Sequence, residues 1–213
     1  MEGKAIKIKV CGMRDEFNIR ELVRLHPDYI GFIFYGPSPR FVGEDLEPSV
    51  LDYIPQSISR VGVFVNADKN YILQKINLYA LSFIQLHGGE TPAFCREMSD
   101  EGITVIKVFN VGAEFDFDAV NPFKPWCKYF LFDTNCSSFG GSGRKFQWDI
   151  FKKYDNEMPV FLSGGIGADD TGLIRELDYL NLHAVDINSR FEKSPGIKNI
   201  PEIRKFIREL KSR

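Results

Sequence analysis

The chain contains no apolar run long enough to cross a bilayer, so it offers no helical membrane span. Blocks of like charge are also missing: 27 basic and 29 acidic side chains are spread over 213 residues, for a formal net charge of −2. That balance argues against a nucleic-acid patch and against an acidic tail. Cysteine is scarce, and Cys11, Cys95, Cys127 and Cys136 fall at spacings that match no zinc or redox pair motif. Four thiols would make two disulfides in a secreted protein. Met1-Glu2-Gly3-Lys4-Ala5, however, leads straight into an apolar segment without a signal-peptide layout, so free thiols and a cytoplasmic location are expected. Low-complexity tracts and shifts of composition are absent, and residues 1–213 read as a single domain.

What is present is a packed α/β pattern. The apolar fraction, 44%, is that of an ordinary globular core, and 19 phenylalanines predict bulky packing between sheet and helices. Strand-like runs fall at about 5–10, 29–34, 60–65, 82–86, 103–109, 129–133, 159–162 and 183–187. Between them lie helix-like stretches, among them Asp15 to Leu25, Asp68 to Tyr79 with Asp68 as its cap, Thr91-Pro92 leading into Ala93 to Met98, and Ile200 to Leu210. Alternation throughout predicts a parallel sheet with helices outside, and eight repeats favour closure into a single (β/α)8 TIM barrel.

Several apolar runs end in a residue able to do chemistry or hold a ligand. Cys11 follows Ile8-Lys9-Val10, His87 follows Phe83-Ile84-Gln85-Leu86, and Asp133 follows Tyr129-Phe130-Leu131-Phe132. Ser163-Gly164-Gly165 follows Val160-Phe161-Leu162, and Asp186 follows Ala184-Val185. A parallel barrel gathers the C-terminal ends of all its strands on one rim, so these residues converge on one pocket. Cys11 is either core filler or a base or nucleophile. A free thiol has a pKa of about 8.5, so the second role needs a cationic neighbourhood, and Lys9 points to the same face two residues back. Asp133 is a candidate general acid, a partly buried carboxyl whose pKa burial raises; capping of loop amides is the structural alternative. Asp186 reads as structural or ligand-orienting, and His87 as an acid–base group or hydrogen-bond donor. His26 and His183 lie away from the strand ends and receive no role.

Two anion sites are expected. In Leu162-Ser163-Gly164-Gly165-Ile166-Gly167, glycines let backbone amides approach an anion ahead of a helix opened by Asp169-Asp170. Gly164 and Gly165, with Ser189 and Arg190 of the next loop, form a candidate phosphate corner; a tight turn and a surface arginine are the plainer alternative. The polar stretch 135–143 reads as a candidate lid, and the glycine-rich run Phe139-Gly140-Gly141-Ser142-Gly143-Arg144 overlaps its end. Arg40 ends Tyr35-Gly36-Pro37-Ser38-Pro39-Arg40, where two prolines stiffen the loop and the planar guanidinium suits a carboxylate. A ligand with a phosphate at one end and a carboxylate at the other would span the rim.

These segments resemble one family, phosphoribosylanthranilate isomerase. The resemblance rests on Val10-Cys11-Gly12-Met13, Gly31-Phe32-Ile33-Phe34-Tyr35 with Ser38-Pro39-Arg40, and Arg60-Val61-Gly62-Val63-Phe64-Val65-Asn66. It continues through Gln85-Leu86-His87-Gly88, Leu131-Phe132-Asp133-Thr134, Gly140-Gly141-Ser142-Gly143 with Phe146 and Trp148, and Leu162-Ser163-Gly164-Gly165. It implies a barrel enzyme of tryptophan biosynthesis that performs an Amadori rearrangement on N-(5-phosphoribosyl)anthranilate. By the same resemblance Cys11 is the general base, Asp133 the general acid, Arg40 the carboxylate binder, and Gly164, Gly165 and Ser189 the phosphate binders. His87, Asp186 and Arg190 complete the expected substrate contacts. The implied reaction needs no metal or organic cofactor. The expected partner is a small phosphosugar, with no nucleic acid and no membrane, and the chain is expected to be a monomer or a homodimer. The chain departs from the family pattern after Asp186: Asn188 replaces a serine and Arg190-Phe191 a small-residue turn, while Glu192, Pro195-Gly196 and Lys198 still fit.

Three rivals remain at this level. The analogous histidine-pathway isomerase is expected to use two aspartates, against which Cys11 argues. Indole-glycerol-phosphate synthase would need a catalytic lysine and glutamate, an option that Lys107, read at the end of the fifth strand, keeps open. A non-catalytic phosphosugar sensor is the third, and the retained Cys11 and Asp133 weigh against it.

Overall fold

Alternating apolar residues put one face of each strand into a barrel interior and the other under the helices, and the observed strands follow that rule. The computed structural model describes residues 6–43, 46–134 and 148–212. Eight parallel strands close in sequence order: β1 (Lys7–Val10), β2 (Tyr29–Ile33), β3 (Ser59–Phe64), β4 (Phe83–Leu86), β5 (Val105–Asn110), β6 (Tyr129–Asp133), β7 (Val160–Ser163) and β8 (Leu182–Ile187). β1 pairs with β2 on one side and with β8 on the other, where Lys9 stands opposite Asp186. The expected (β/α)8 barrel is therefore the fold. The polar stretch 135–143, with its glycine run and Cys136, lies outside the described residues, as does Phe146.

The helices start where short polar side chains satisfy exposed amides. Asp15 accepts from the Asn18 amide at 2.7 Å to open α1 (Glu16–Val23), and Asp68 accepts from the Tyr71 amide at 3.0 Å to open α2 (Lys69–Tyr79). Thr91 caps α3 (Pro92–Asp100), whose first turn holds Pro92. In other crossovers the described helical elements are shorter. Short 3-10 helices at Pro48–Tyr53, Phe117–Phe123 and Trp148–Lys153 follow β2, β5 and β6. After β7 a 3-10 turn, Ala168–Asp170, leads into the five-residue α4 (Thr171–Arg175). A two-strand hairpin, β9 (Glu192–Ser194) and β10 (Ile197–Lys198), intervenes before α5 (Ile200–Lys211), which buries Ile203, Phe206 and Leu210.

Most of the buried phenylalanines fill the layer between barrel and helices, including Phe32, Phe64, Phe130, Phe132 and Phe151. The interior holds Tyr29, Val61, Ile106, Val108, Leu131, Phe161 and Ala184. Its lower end is stopped by rings: the Tyr29 hydroxyl is 2.6 Å from His183 Nε2, and Tyr129 stacks on His183 with centroids 4.3 Å apart. His183, given no role above, is thus part of the barrel's plug.

Lys107 is not a strand-end residue. It is the third residue of β5, between the inward-facing Ile106 and Val108, so it points to the helix layer. Its ammonium donates to the carbonyls of Leu86 and Gly88, at 3.1 and 2.8 Å, and to Glu90 at 3.0 Å. Glu90 in turn accepts from the amides of Asn66 and Gly88, so this buried pair shapes the loop after His87 rather than offering a catalytic lysine.

Candidate active site

The inward alternation continues past the strand ends, which carries Cys11, Gln85, His87, Asp133, Ser163 and Asp186 into one rim cavity of about 170 Å3. Loops add Arg40, Gly164, Gly165, Asn188, Ser189 and Arg190 to its walls. All nine residues singled out from the sequence line this one cavity.

At its base, the Lys9 ammonium, wholly buried, lies 2.7 Å from Asp186 Oδ2. Burial works against that charge, but Asp186 and the neighbouring Cys11 outweigh it, and Lys9 is held protonated above its ordinary range. Cys11 is governed by the opposite balance. Burial pushes its thiol up by more than Lys9 and Lys198 pull it down. The other carboxylate oxygen of Asp186, Oδ1, is buried with no hydrogen-bond partner among the described residues, as is Gln85 Oε1. A buried acceptor left unmatched is costly, so these atoms mark places where a ligand's donor hydrogens fit. Across the rim, Gln85 Nε2 lies 3.3 Å from His87 Nδ1, and His87 Nε2 lies 3.7 Å from Asp133 Oδ2. Burial lowers the pKa of His87, and Asp133 opposes this only in part, so the ring is neutral at pH 7.

The candidate phosphate corner has the expected loops with different details. Gly164 and Gly165 have φ of +105° and +69°, a region that disfavours any side chain. Thr134 Oγ1 fixes them by donating to the Ser163 carbonyl at 3.0 Å. The expected helix start behind them is a 3-10 turn, and the Gly167 amide is already taken by the Asp170 carboxylate at 2.7 Å. Donors for an anion therefore come from the glycine loop itself. Arg190 lies flat on that loop: a Cβ on Gly167 would sit 3.0 Å from Arg190 Nε. Phe191, which interrupts the family's small-residue turn, is fully buried against Phe206 and pins the Ser189–Phe191 turn in place.

Arg40 reaches the rim but is already partnered. Its Nε lies 2.9 and 3.0 Å from the two oxygens of Glu192, and its Nη2 2.7 Å from Oε2. The side chain crosses directly over Gly12, where a Cβ would meet Arg40 Cδ at 2.8 Å. From the sequence, Gln85 carries no assignment, Lys9 only that of a cation on the Cys11 face, and Glu192 and Lys198 only a fit to the family pattern. Lys9 and Gln85 were readable as inward positions two residues below Cys11 and His87; Glu192 and Lys198 sit in a hairpin outside the strand pattern.

A rim of this kind performs acid–base chemistry on a small anionic molecule, the work of (β/α)8-barrel enzymes. Residues 8–209 match the family described as N-(5'phosphoribosyl)anthranilate (PRA) isomerase. The N-(5'-phosphoribosyl)anthranilate isomerase of Phocaeicola vulgatus is 40% identical over 97% of this chain and 98% of its own length. That of Parabacteroides distasonis is 41% identical over 95% and 92%. Among solved structures, phosphoribosyl anthranilate isomerase from Thermotoga maritima superposes with a TM-score of 0.83 at 30% identity, covering 97% of this chain and 98% of that one. A phosphoribosyl anthranilate isomerase solved in complex with reduced 1-(o-carboxyphenylamino)-1-deoxyribulose 5-phosphate gives a TM-score of 0.83 at 28% identity, over 97% and 98%. The chain belongs to the N-(5'-phosphoribosyl)anthranilate isomerase family.

Proposed function

We propose that this rim carries out the family's aldose-to-ketose isomerisation in tryptophan biosynthesis, with Cys11 as base and Asp133 as acid. The substrate is N-(5'-phosphoribosyl)anthranilate and the product 1-(2-carboxyphenylamino)-1-deoxyribulose 5-phosphate. Asp133 protonates the ribose ring oxygen, the C1–O bond breaks, and the nitrogen lone pair forms an iminium. The Cys11 thiolate then removes the proton from C2, the electron pair flows to the iminium nitrogen, and the resulting enolamine tautomerises to the ketone. Because the substrate's own nitrogen takes up the electrons, the chemistry calls on no metal or organic cofactor. Gly164, Gly165, Ser189 and Arg190 hold the phosphate, and Arg40 the anthranilate carboxylate. Asp186 Oδ1 accepts from a sugar hydroxyl, and His87, neutral and seated between Gln85 and Asp133, donates to the ligand.

The observation that carries this reading is the convergence of Cys11, Asp133, Arg40 and the Gly164–Gly165 loop on one cavity. The removal of Lys107 from the rim supports it against a synthase of the indole-glycerol-phosphate type. Turnover of the anthranilate-bearing aminoaldose, followed by loss of anthranilate fluorescence, is the direct test. Binding without any fluorescence change would instead establish a phosphosugar sensor. The chain acts in the cytoplasm as one domain, as a monomer or a homodimer, and light scattering on the purified protein decides between the last two.

A further inference from the structure

A guanidinium that binds a substrate carboxylate should not already hold a protein carboxylate, yet Glu192 occupies the Nε and Nη2 edge of Arg40 through contacts of 2.7 to 3.0 Å. Taken alone, that pair is electrically neutral and would attract an incoming carboxylate weakly. The conflict is relieved by a third group. The Lys198 ammonium, fully buried, lies 2.6 Å from Glu192 Oε1 and 2.7 Å from Asn188 Oδ1. We propose that Lys198 is a positioning residue for substrate recognition: it neutralises Glu192, so that Glu192 can orient Arg40 without cancelling its charge. The inference rests on the assignment of Arg40 to the substrate carboxylate.

The geometry is built for this. Arginine has five N–H donors, and Glu192 takes the single one on Nε and one on Nη2, which leaves the Nη1 end for a ligand. The trio carries one net positive charge. Its members are also fixed independently of each other. The Gly196 amide donates to Glu192 at 3.1 Å. The backbone of Lys198 is clamped by buried Asn18 of α1, whose Oδ1 accepts from the Lys198 amide at 2.7 Å and whose Nδ2 donates to the Lys198 carbonyl at 3.0 Å. Burial lowers the pKa of Lys198 while Glu192 opposes that shift; the pKa of Glu192 falls below its ordinary value because Arg40 and Lys198 outweigh its burial. The β9–β10 hairpin thus brings two opposite charges to the rim from outside the barrel.

The test compares two ligands: reduced 1-(o-carboxyphenylamino)-1-deoxyribulose 5-phosphate, and the same molecule with its carboxylate converted to a carboxamide. Discrimination is the ratio of their affinities by calorimetry. Lys198→Met leaves Glu192 to cancel Arg40, and discrimination should fall roughly tenfold or more, with carboxamide binding little changed. The double variant Lys198→Met/Glu192→Gln restores the net positive charge and should regain discrimination over Lys198→Met. A structural ion pair would give the reverse order, with the double variant no better than the single. Undiminished discrimination by Lys198→Met, or no recovery in the double variant, overturns the proposal. If the methionine variants fail to fold, Lys198→Gln, which keeps a polar side chain without the charge, decides: its discrimination should fall below the wild type's, and undiminished discrimination overturns the proposal. Equal binding of both ligands by the wild type would instead remove Arg40 from the carboxylate site, a separate failure.

Discussion

Cys11 is held between burial, which keeps its proton on, and the ammonium groups of Lys9 and Lys198, which favour its loss. Burial prevails in the free protein, so the thiolate is a minor species at neutral pH. The sign of the pH dependence follows: kcat/KM should climb as pH rises through neutrality and keep climbing beyond pH 8, toward a thiol pKa above the ordinary value. A profile flat from pH 6 to 9 would exclude Cys11 as the base. Replacing the acid or the base should slow turnover on the order of a hundred- to ten-thousand-fold, the usual worth of a positioned acid–base group. Cys11→Ala and Asp133→Asn should do this while the reduced product analogue still binds; wild-type turnover by either removes its role. The alternation of inward residues made Cys11, His87, Asp133 and Asp186 legible in the sequence, since a strand's period of two fixes which side chains face the pocket. What Asp186 does was not legible. Its pairing with Lys9 crosses 177 residues, and no local pattern encodes which oxygen is left open.

The strands and the capped helices were legible because their signals are local: apolar alternation, and Asp15, Asp68 and Thr91 at helix starts. The 3-10 helices at Pro48–Tyr53, Phe117–Phe123 and Trp148–Lys153 were not, because they are held by long-range packing of Val50, Val120 and Phe151 rather than by a helical period. Lys107 was misplaced because β5 runs on to Asn110, which leaves the lysine short of the strand end and, between inward Ile106 and Val108, on the helix side. At this scale the loop after β1 is a sensitive point. Gly12 has a φ of +76°, and its missing Cβ leaves room for Arg40. Gly12→Ala should therefore raise KM for the carboxylate-bearing substrate several-fold by displacing the guanidinium, at a conformational cost of about 1 kcal/mol. Unchanged KM would show that Arg40 has slack.

The molecule divides its interior between a reactive rim and an inert base. At the base, Tyr29→Phe would remove the hydroxyl that meets His183 Nε2 at 2.6 Å beneath stacked rings. Urea denaturation should show a loss of roughly 1–3 kcal/mol, while kcat stays near the wild-type value because the plug lies at the opposite end from the cavity. The rim contributes acid sensitivity. Since the folded state depresses the pKa of Glu192 below 4.5, its stabilisation is complete above that value and drains away as pH falls through the folded pKa. Glu192→Gln should flatten the stability curve below about pH 4.5 relative to the wild type, and an unchanged acid limb would contradict the shift.

The seam between β1 and β8 sets a timetable as well as a shape. Lys9 stands opposite Asp186 across it, and Cys11 shares its surroundings with Lys198. On a ribosome the thiol emerges together with Lys9, and Asp186, 177 residues beyond Lys9, follows only much later, as does Lys198. Until the final strand docks against the first, Cys11 is an ordinary solvent-facing thiol, open to oxidation and without a partner acid. The contacts that assemble the site are among the most distant in the sequence, and such contacts are slow to form. Recovery of activity on refolding should therefore trail the return of helical signal.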